Sequence, residues 1–248
     1  MSDTTHVSAV PRNAPDGWGR DSLSEFFDRG RANAYATFVN MHADYARLDA
    51  VLRAFEAVAV DWRDPESLAG SLFFGRAQSA FLAASYMATS TQSGEVYPLL
   101  RRCIEDALYA HYIDQDEERF AVWSNRMDSD KARAKSKKLL VNREMMALLE
   151  QRDTDLHRVV STLYEFCIDY GAHPNIQSVV GNLRIAQDDN DTMLNNVILT
   201  TDSDSTRVAL KQSARTGVAV LMVFERIFPD RFTKLGVSPE LARLRIGL

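Results

Sequence analysis

Cysteine is scarce: Cys103 and Cys167 are the only two in 248 residues, each among apolar neighbours in a helix-like pattern. A disulfide framework and a cysteine-rich metal site are thereby excluded, and both thiols read as buried and inert. No apolar run is long enough to span a bilayer. The first 19 residues, with Pro11, Pro15, Gly17 and Gly19, lack the apolar stretch of a secretory leader. These absences predict a cytoplasmic protein with no membrane partner. Strong positive charge is missing too. The formal net charge is −5, so no broad electrostatic trap for nucleic acid is present, and any such contact must be a local patch. The chain has no GxxxxGK[ST], GxGxxG, His-Glu-x-x-His, Glu-x-x-His or Gly-x-Ser-x-Gly. Nucleotide loops, zinc-protease helices, di-iron bundles and serine-hydrolase elbows lose their signatures with them. No cofactor and no metal site is expected.

Ordinary globular composition remains, 46% hydrophobic and 25% charged, in a chain long enough to bury a sizeable core. Helical periodicity dominates. Residues 1–21 read as a flexible arm before a single helical domain over 22–248. Ser22 and Glu25 form a capping-box pattern. The helix behind it is expected to run to Asp61, with the seam Ala34, Phe38, Met41, Tyr45, Leu48, Leu52, Phe55. Its alternating steps of four and three are those of a heptad. Such a helix packs inside its own bundle or against a second copy, and the expectation taken forward is a homodimer through 22–61. Asp64-Pro65 then predicts a cap and a helix to Thr89 rich in small residues. Further helices are expected over 95–113, 116–123, 128–151 and from Asp153 or Thr154 to Tyr170, where Gly171 supplies a stop.

The period changes after His173-Pro174-Asn175. Ser178–Gln187 and Thr192–Thr201 are rich in Val, Ile, Leu and Thr around Asp188-Asp189-Asn190-Asp191, which predicts a β-hairpin within 178–201. Ser203–Ser205 caps a long apolar helix that Pro229 ends, and Ser238-Pro239-Glu240 starts a short last one. The expected fold is mainly α, a multi-helix bundle with one inserted hairpin.

Three clusters carry possible chemistry. Arg101 and Glu105 are four apart and share a helix face, as do Arg102 and Asp106. Apolar neighbours place these pairs on a largely buried helix, where an ion pair either fixes packing or binds something. His111 follows on the same helix. Gly171-Ala172-His173-Pro174-Asn175 is at once a helix stop and a loop able to hold polar groups over a cleft. Lys131, Arg133, Lys135, Lys137 and Lys138 spread round one helix, a solvated surface or a local face for an anion or RNA.

Arg152 and His157 match the Arg-x4–6-His pattern of the HEPN superfamily, helical proteins that include metal-independent ribonucleases. From about Ser79 to Leu235 the chain also resembles uncharacterised, distantly HEPN-like bacterial helical proteins. These carry an Arg-x3-Glu helix and a Gly-Ala-His-Pro-Asn-like loop. Arginine outnumbering lysine fits a GC-rich bacterial genome. The leading expectation is a non-catalytic binding or assembly protein. Arg101, Glu105, His111, His173 and Asn175 would form its pocket, Arg101 holding an anionic group. The alternative is a HEPN-like ribonuclease, with His157 or His173 as general base and Arg152 stabilising phosphate charge.

Overall fold

The computed structural model describes residues 14–63, 65–172, 176–180, 183–188, 191–200 and 203–246. The protein is a mainly α multi-helix bundle carrying one antiparallel hairpin. At its centre α3 (Leu68–Thr89) and α4 (Ser93–Asp114) pack antiparallel. Cys103 Sγ reaches the Ala77 carbonyl at 3.2 Å, Arg76 pairs with Asp106, and Phe73 meets Tyr109. Ala77, Ala80, Ala84 and Ala88 line the inward face of α3 and are all buried. Small side chains at steps of three and four let neighbouring helices approach closely. α10 (Ser203–Ile227) packs against both central helices, and α2 (His42–Ala59) against α10 and α3. Where they meet, Phe55, Phe74, Phe81, Phe224 and Phe228 are at most 2% exposed, with Trp62 edge-on to Phe74 and Phe228. Burying each ring contributes roughly 1.5–3 kcal/mol. Polar ties fix the frame. Buried Asp44 accepts from Arg47 at 2.9 Å and from Arg207 of α10 at 3.0 Å. Arg231 bonds the Val58 and Val60 carbonyls at the end of α2 and lies over Trp62.

The single helix expected over 22–61 is two. α1 (Ser22–Asn40) ends at Met41, whose φ of −126° and ψ of 38° are not helical, and α2 begins at His42. The seam divides with it. Leu48 and Phe55 are buried and Leu52 packs on the core, so the α2 half is satisfied inside the chain. α1 docks by its small and polar side. Ser24, Gly30 and Thr37 are its buried residues, Thr37 Oγ1 donates to the Thr89 carbonyl at 2.9 Å, and Asn33 Nδ2 donates to Thr91 Oγ1 at 2.8 Å. Phe38, in contrast, is 45% exposed. The cap is Asp21 rather than a Ser22–Glu25 box, its carboxylate accepting from the Leu23 and Ser24 N–H groups. Trp18 joins α1 by donating to Asp28 at 2.9 Å. Residues 1–13 of the expected arm lie outside the described residues, as does Asp64. α3 starts later than the Asp64-Pro65 pattern suggests, capped by Ser67 on the Gly70 N–H.

α5 (Glu117–Ser124) agrees with its expected span. The helix expected over 128–151 divides into α6 (Asp130–Leu139) and α7 (Asn142–Arg152) at extended Val141. α8 (Thr154–Cys167) buries Leu156, Val160, Leu163 and Cys167, a seam whose steps of four, three and four are already visible in the sequence. Its last turn widens to π form over Ile168–Ala172, leaving Tyr170 45% exposed and stacked on Phe166. Short α9 (Ile176–Val180) takes only 178–180 of what the sequence assigned to the first strand, and 183–187 is strand as expected. The hairpin is therefore tighter, β1 (Leu183–Asp188) paired with β2 (Asp191–Asn196) in the register Leu183 to Asn196 and Asp188 to Asp191. Pro229 opens α11 (Pro229–Lys234) as well as closing α10, and α12 (Val237–Leu244) follows left-handed Gly236. No helix among the described residues is long and apolar enough to cross a membrane.

Candidate functional site

Arg101 and Glu105 meet as their spacing requires, Nε to Oε1 at 2.9 Å. The third member comes from α8. Tyr164 Oη donates to the same Glu105 oxygen at 3.0 Å, and the Arg101 guanidinium lies 5.3 Å from the Tyr164 ring centroid. The ion pair is partly open, with side-chain exposures of 27% and 35%, while Tyr164 is buried. Burial, then the adjacent carboxylate, pushes the Tyr164 hydroxyl up to about 12, so it remains a donor. This trio clamps α4 to α8. The second pair is deeper. Asp106 is 5% exposed, bonded by Arg76 at 3.0 Å with Arg102 at 3.7 Å, and burial raises its carboxyl despite both arginines.

His111 turns elsewhere. Six residues beyond Glu105, it is 3% exposed, its Nδ1 without a hydrogen-bond partner. Burial holds its pKa below the ordinary value. The charges acting on it are Asp114, Arg152 and Arg226, from the opposite end of α4 to Arg101. His173 and Asn175 lie outside the described residues. Arg152 closes α7 and His157 lies in the first turns of α8, so the two stand on different helices, as the intervening Asp153-Thr154-Asp155 suggests. The carboxylate nearest His157 is Glu150, 4.0 Å from Nδ1. The basic residues of α6 are exposed, with Lys135 paired to Glu118 at 2.7 Å. Burial raises both thiols, Cys167 to about 12. No group of three or more His, Cys, Asp or Glu among the described residues is arranged to hold a metal ion.

A different set of residues lines an open cleft of about 410 Å³ between α8 and α10. That size lies within the range of small-molecule sites. The floor is apolar: Leu156 and Val159 from α8, Val218, Ala219 and Met222 from α10. Arg215 and Arg226 stand at either end of the α10 face, and Arg245 comes from just beyond α12. Asp153 and Asp155 lie at the start of α8. Asp153 is already committed. Its Oδ1 caps α8 through the Leu156 N–H at 3.0 Å, and Oδ2 accepts from Arg226 at 2.7 and 3.1 Å. Partial burial opposes its charge, but these bonds and nearby Arg245 outweigh it, holding the carboxyl below its usual value. Asp155 is 88% exposed and pairs with Arg158. Among the described residues neither Arg215 nor Arg245 has a carboxylate within ion-pair distance, although the Arg245 charge acts on Asp153 from farther off.

Guanidinium groups that keep free donors beside an apolar surface suit a carboxylate or phosphate, which they bind in a planar fork. The sequence held one sign of this site. Arg215, Ala219, Met222 and Arg226 follow at steps of four, three and four, an apolar face bracketed by arginines. The matching half of the cleft comes from α8, some 60 residues earlier, and only the fold joins them. Comparison with protein-family models, with curated proteins and with solved structures finds no match for this chain.

Proposed function

We propose that the protein is a non-catalytic cytoplasmic binding protein for a small anion with an apolar body, held in the α8–α10 cleft. One observation carries this reading: three arginines gather over an apolar floor, and the half-buried cleft aspartate bonds only Arg226, with Arg245 near it but not paired to it. Arg215 and Arg245 take the anionic group, Arg226 keeps the wall in place through Asp153, and Val218, Ala219 and Met222 receive the apolar part. The lining favours binding over catalysis. It offers no histidine, thiol or hydroxyl, and its one half-buried carboxylate is fixed as a helix cap. The site proposed is therefore the α8–α10 cleft rather than the Arg101–Glu105 face, and its ligand again carries an anionic group.

The test is thermal denaturation with octyl phosphate, and with octanol as the uncharged counterpart. Octyl phosphate at 100 times its dissociation constant stabilises by about 2.7 kcal/mol. The reading expects that shift with the phosphate, little with octanol, and loss in Arg215→Gln. Equal shifts for both compounds, or none, would remove it. RNA cleavage without added metal, abolished in a folded His157→Ala protein, would replace it with the ribonuclease alternative.

A further inference from the structure

The outward face of α3 does not look like a solvent face. Its exposed residues are Leu68, Leu72, Gly75, Arg76, Ser79, Leu82 and Tyr86. Setting Arg76 aside, the steps are four, three, four, three, four, an unbroken heptad stripe about 27 Å long. Leu68, Leu72, Leu82 and Tyr86 are 57%, 50%, 43% and 52% exposed. Arg76 is the one charge on the stripe, and its Nε already bonds Asp106. The outer face of α1 also shows large apolar residues, but Glu25, Arg29 and Arg31 interrupt it with exposed charge.

The stripe is symmetric about Ala77. Leu68 and Tyr86 lie nine residues either side of it, Leu72 and Leu82 five, Gly75 and Ser79 two. We propose that this face pairs with the same face of a second copy, antiparallel, with the two-fold axis level with Ala77, whose own side chain faces inward. Leu72 then packs on Leu82 of the second copy, and Leu68 on its Tyr86, each contact occurring twice, as an isologous interface requires. Gly75 opposite Ser79 puts the smallest side chains at the crossing. A Cβ added at Gly75 would meet nothing within 4 Å, so the surface there is open for close approach. Alternating steps of three and four suit a shallow crossing of two helices about 8–10 Å apart.

The four large residues supply only part of the area that a stable dimer buries. At about 200 Å² for a fully exposed large side chain, the four large residues leave roughly 400 Å² accessible per copy. That is half of the roughly 800 Å² per partner in a standard interface. Gly75, Arg76, Ser79 and the half-buried flanks Ser71, Gln78 and Ala83 extend the patch along the helix. The surface is separate from the α8–α10 cleft, so neither proposal rests on the other.

Multi-angle light scattering and sedimentation velocity on the full chain, at about 50 μM, test this. The wild type is expected at the mass of two chains, and Leu72→Glu or Leu82→Arg alone at the mass of one. Both positions are exposed, so far-UV circular dichroism should keep its helical signal in each. The two-fold pairing makes a sharper demand. The double variant Leu72→Glu/Leu82→Arg sets the new acid against the new base twice and should dimerise again. A monomeric wild type, single variants that remain dimeric, or a double variant that stays monomeric would each overturn the proposal.

Discussion

Removing the Tyr164 hydroxyl isolates the clamp between α4 and α8. Tyr164→Phe keeps the ring beneath the Arg101 guanidinium and deletes only the 3.0 Å bond to Glu105 Oε1. A hydrogen bond to a charged acceptor contributes about 1.5–3 kcal/mol. Glu105 is 35% exposed, so water recovers part of the loss, and about 1–1.5 kcal/mol is the expected cost. Arg101→Ala should cost about the same. The sequence places this pair on a largely buried helix, and breaking a fully buried pair costs about 3–5 kcal/mol, but exposures of 27% and 35% lower that figure. The assay is urea denaturation at 25 °C followed by circular dichroism. In a chain of this size, 1 kcal/mol also lowers Tm by about 2–4 °C. A double-mutant cycle between Glu105→Gln and Tyr164→Phe should give a coupling above about 0.5 kcal/mol. Zero coupling, or a Tyr164→Phe protein as stable as the wild type, would refute the clamp.

Other perturbations have equally definite outcomes. Gly217→Ala places a Cβ 2.6 Å from Val51 Cγ1 and 2.7 Å from Phe81 Cε2, where α10 meets α2 and α3, and should destabilise by about 1–3 kcal/mol in the same assay. His111 has its pKa lowered by burial, so the unfolded chain takes up a proton more readily. The stability it supports is therefore full above pH 6.5 and falls as pH drops through that value, at up to about 1.4 kcal/mol per pH unit. His111→Phe should flatten this slope between pH 7.5 and 5, and an unchanged slope would assign it to another group. Cys103 and Cys167 should resist a thiol reagent in the native protein and react in urea, and rapid native labelling would contradict their burial.

The fold was legible wherever one helix face carried the signal. The seam of α8 and the apolar length of α10 are read directly from period, and the hairpin from its acidic turn. The breaks at Met41 and Val141 were not, because neither has a glycine or proline beside it. α1 ends where Thr37 and Asn33 bond the turn between α3 and α4, more than 50 residues away, and tertiary hydrogen bonds of that kind leave no local trace. The candidate site divides in the same way. Arg101–Glu105 is an i,i+4 pair and was visible. Tyr164, 59 residues from Glu105, was not. The cleft depends on Asp153 meeting Arg226 across 73 residues, and Arg245 reaches it from beyond α12.

Calorimetric titration of octyl phosphate into wild-type protein and into Arg215→Gln/Arg245→Gln tests the cleft most directly. Both arginines lack ion-pair partners among the described residues, so their removal should leave Tm nearly unchanged. Each lost charged contact is worth about 1.4 kcal/mol after discounting exposure, or tenfold in affinity. The account predicts that Kd rises about 100-fold in the double variant, with the wild-type affinity weakening as salt is added. A Kd that is the same in both proteins would place the anion elsewhere and contradict it.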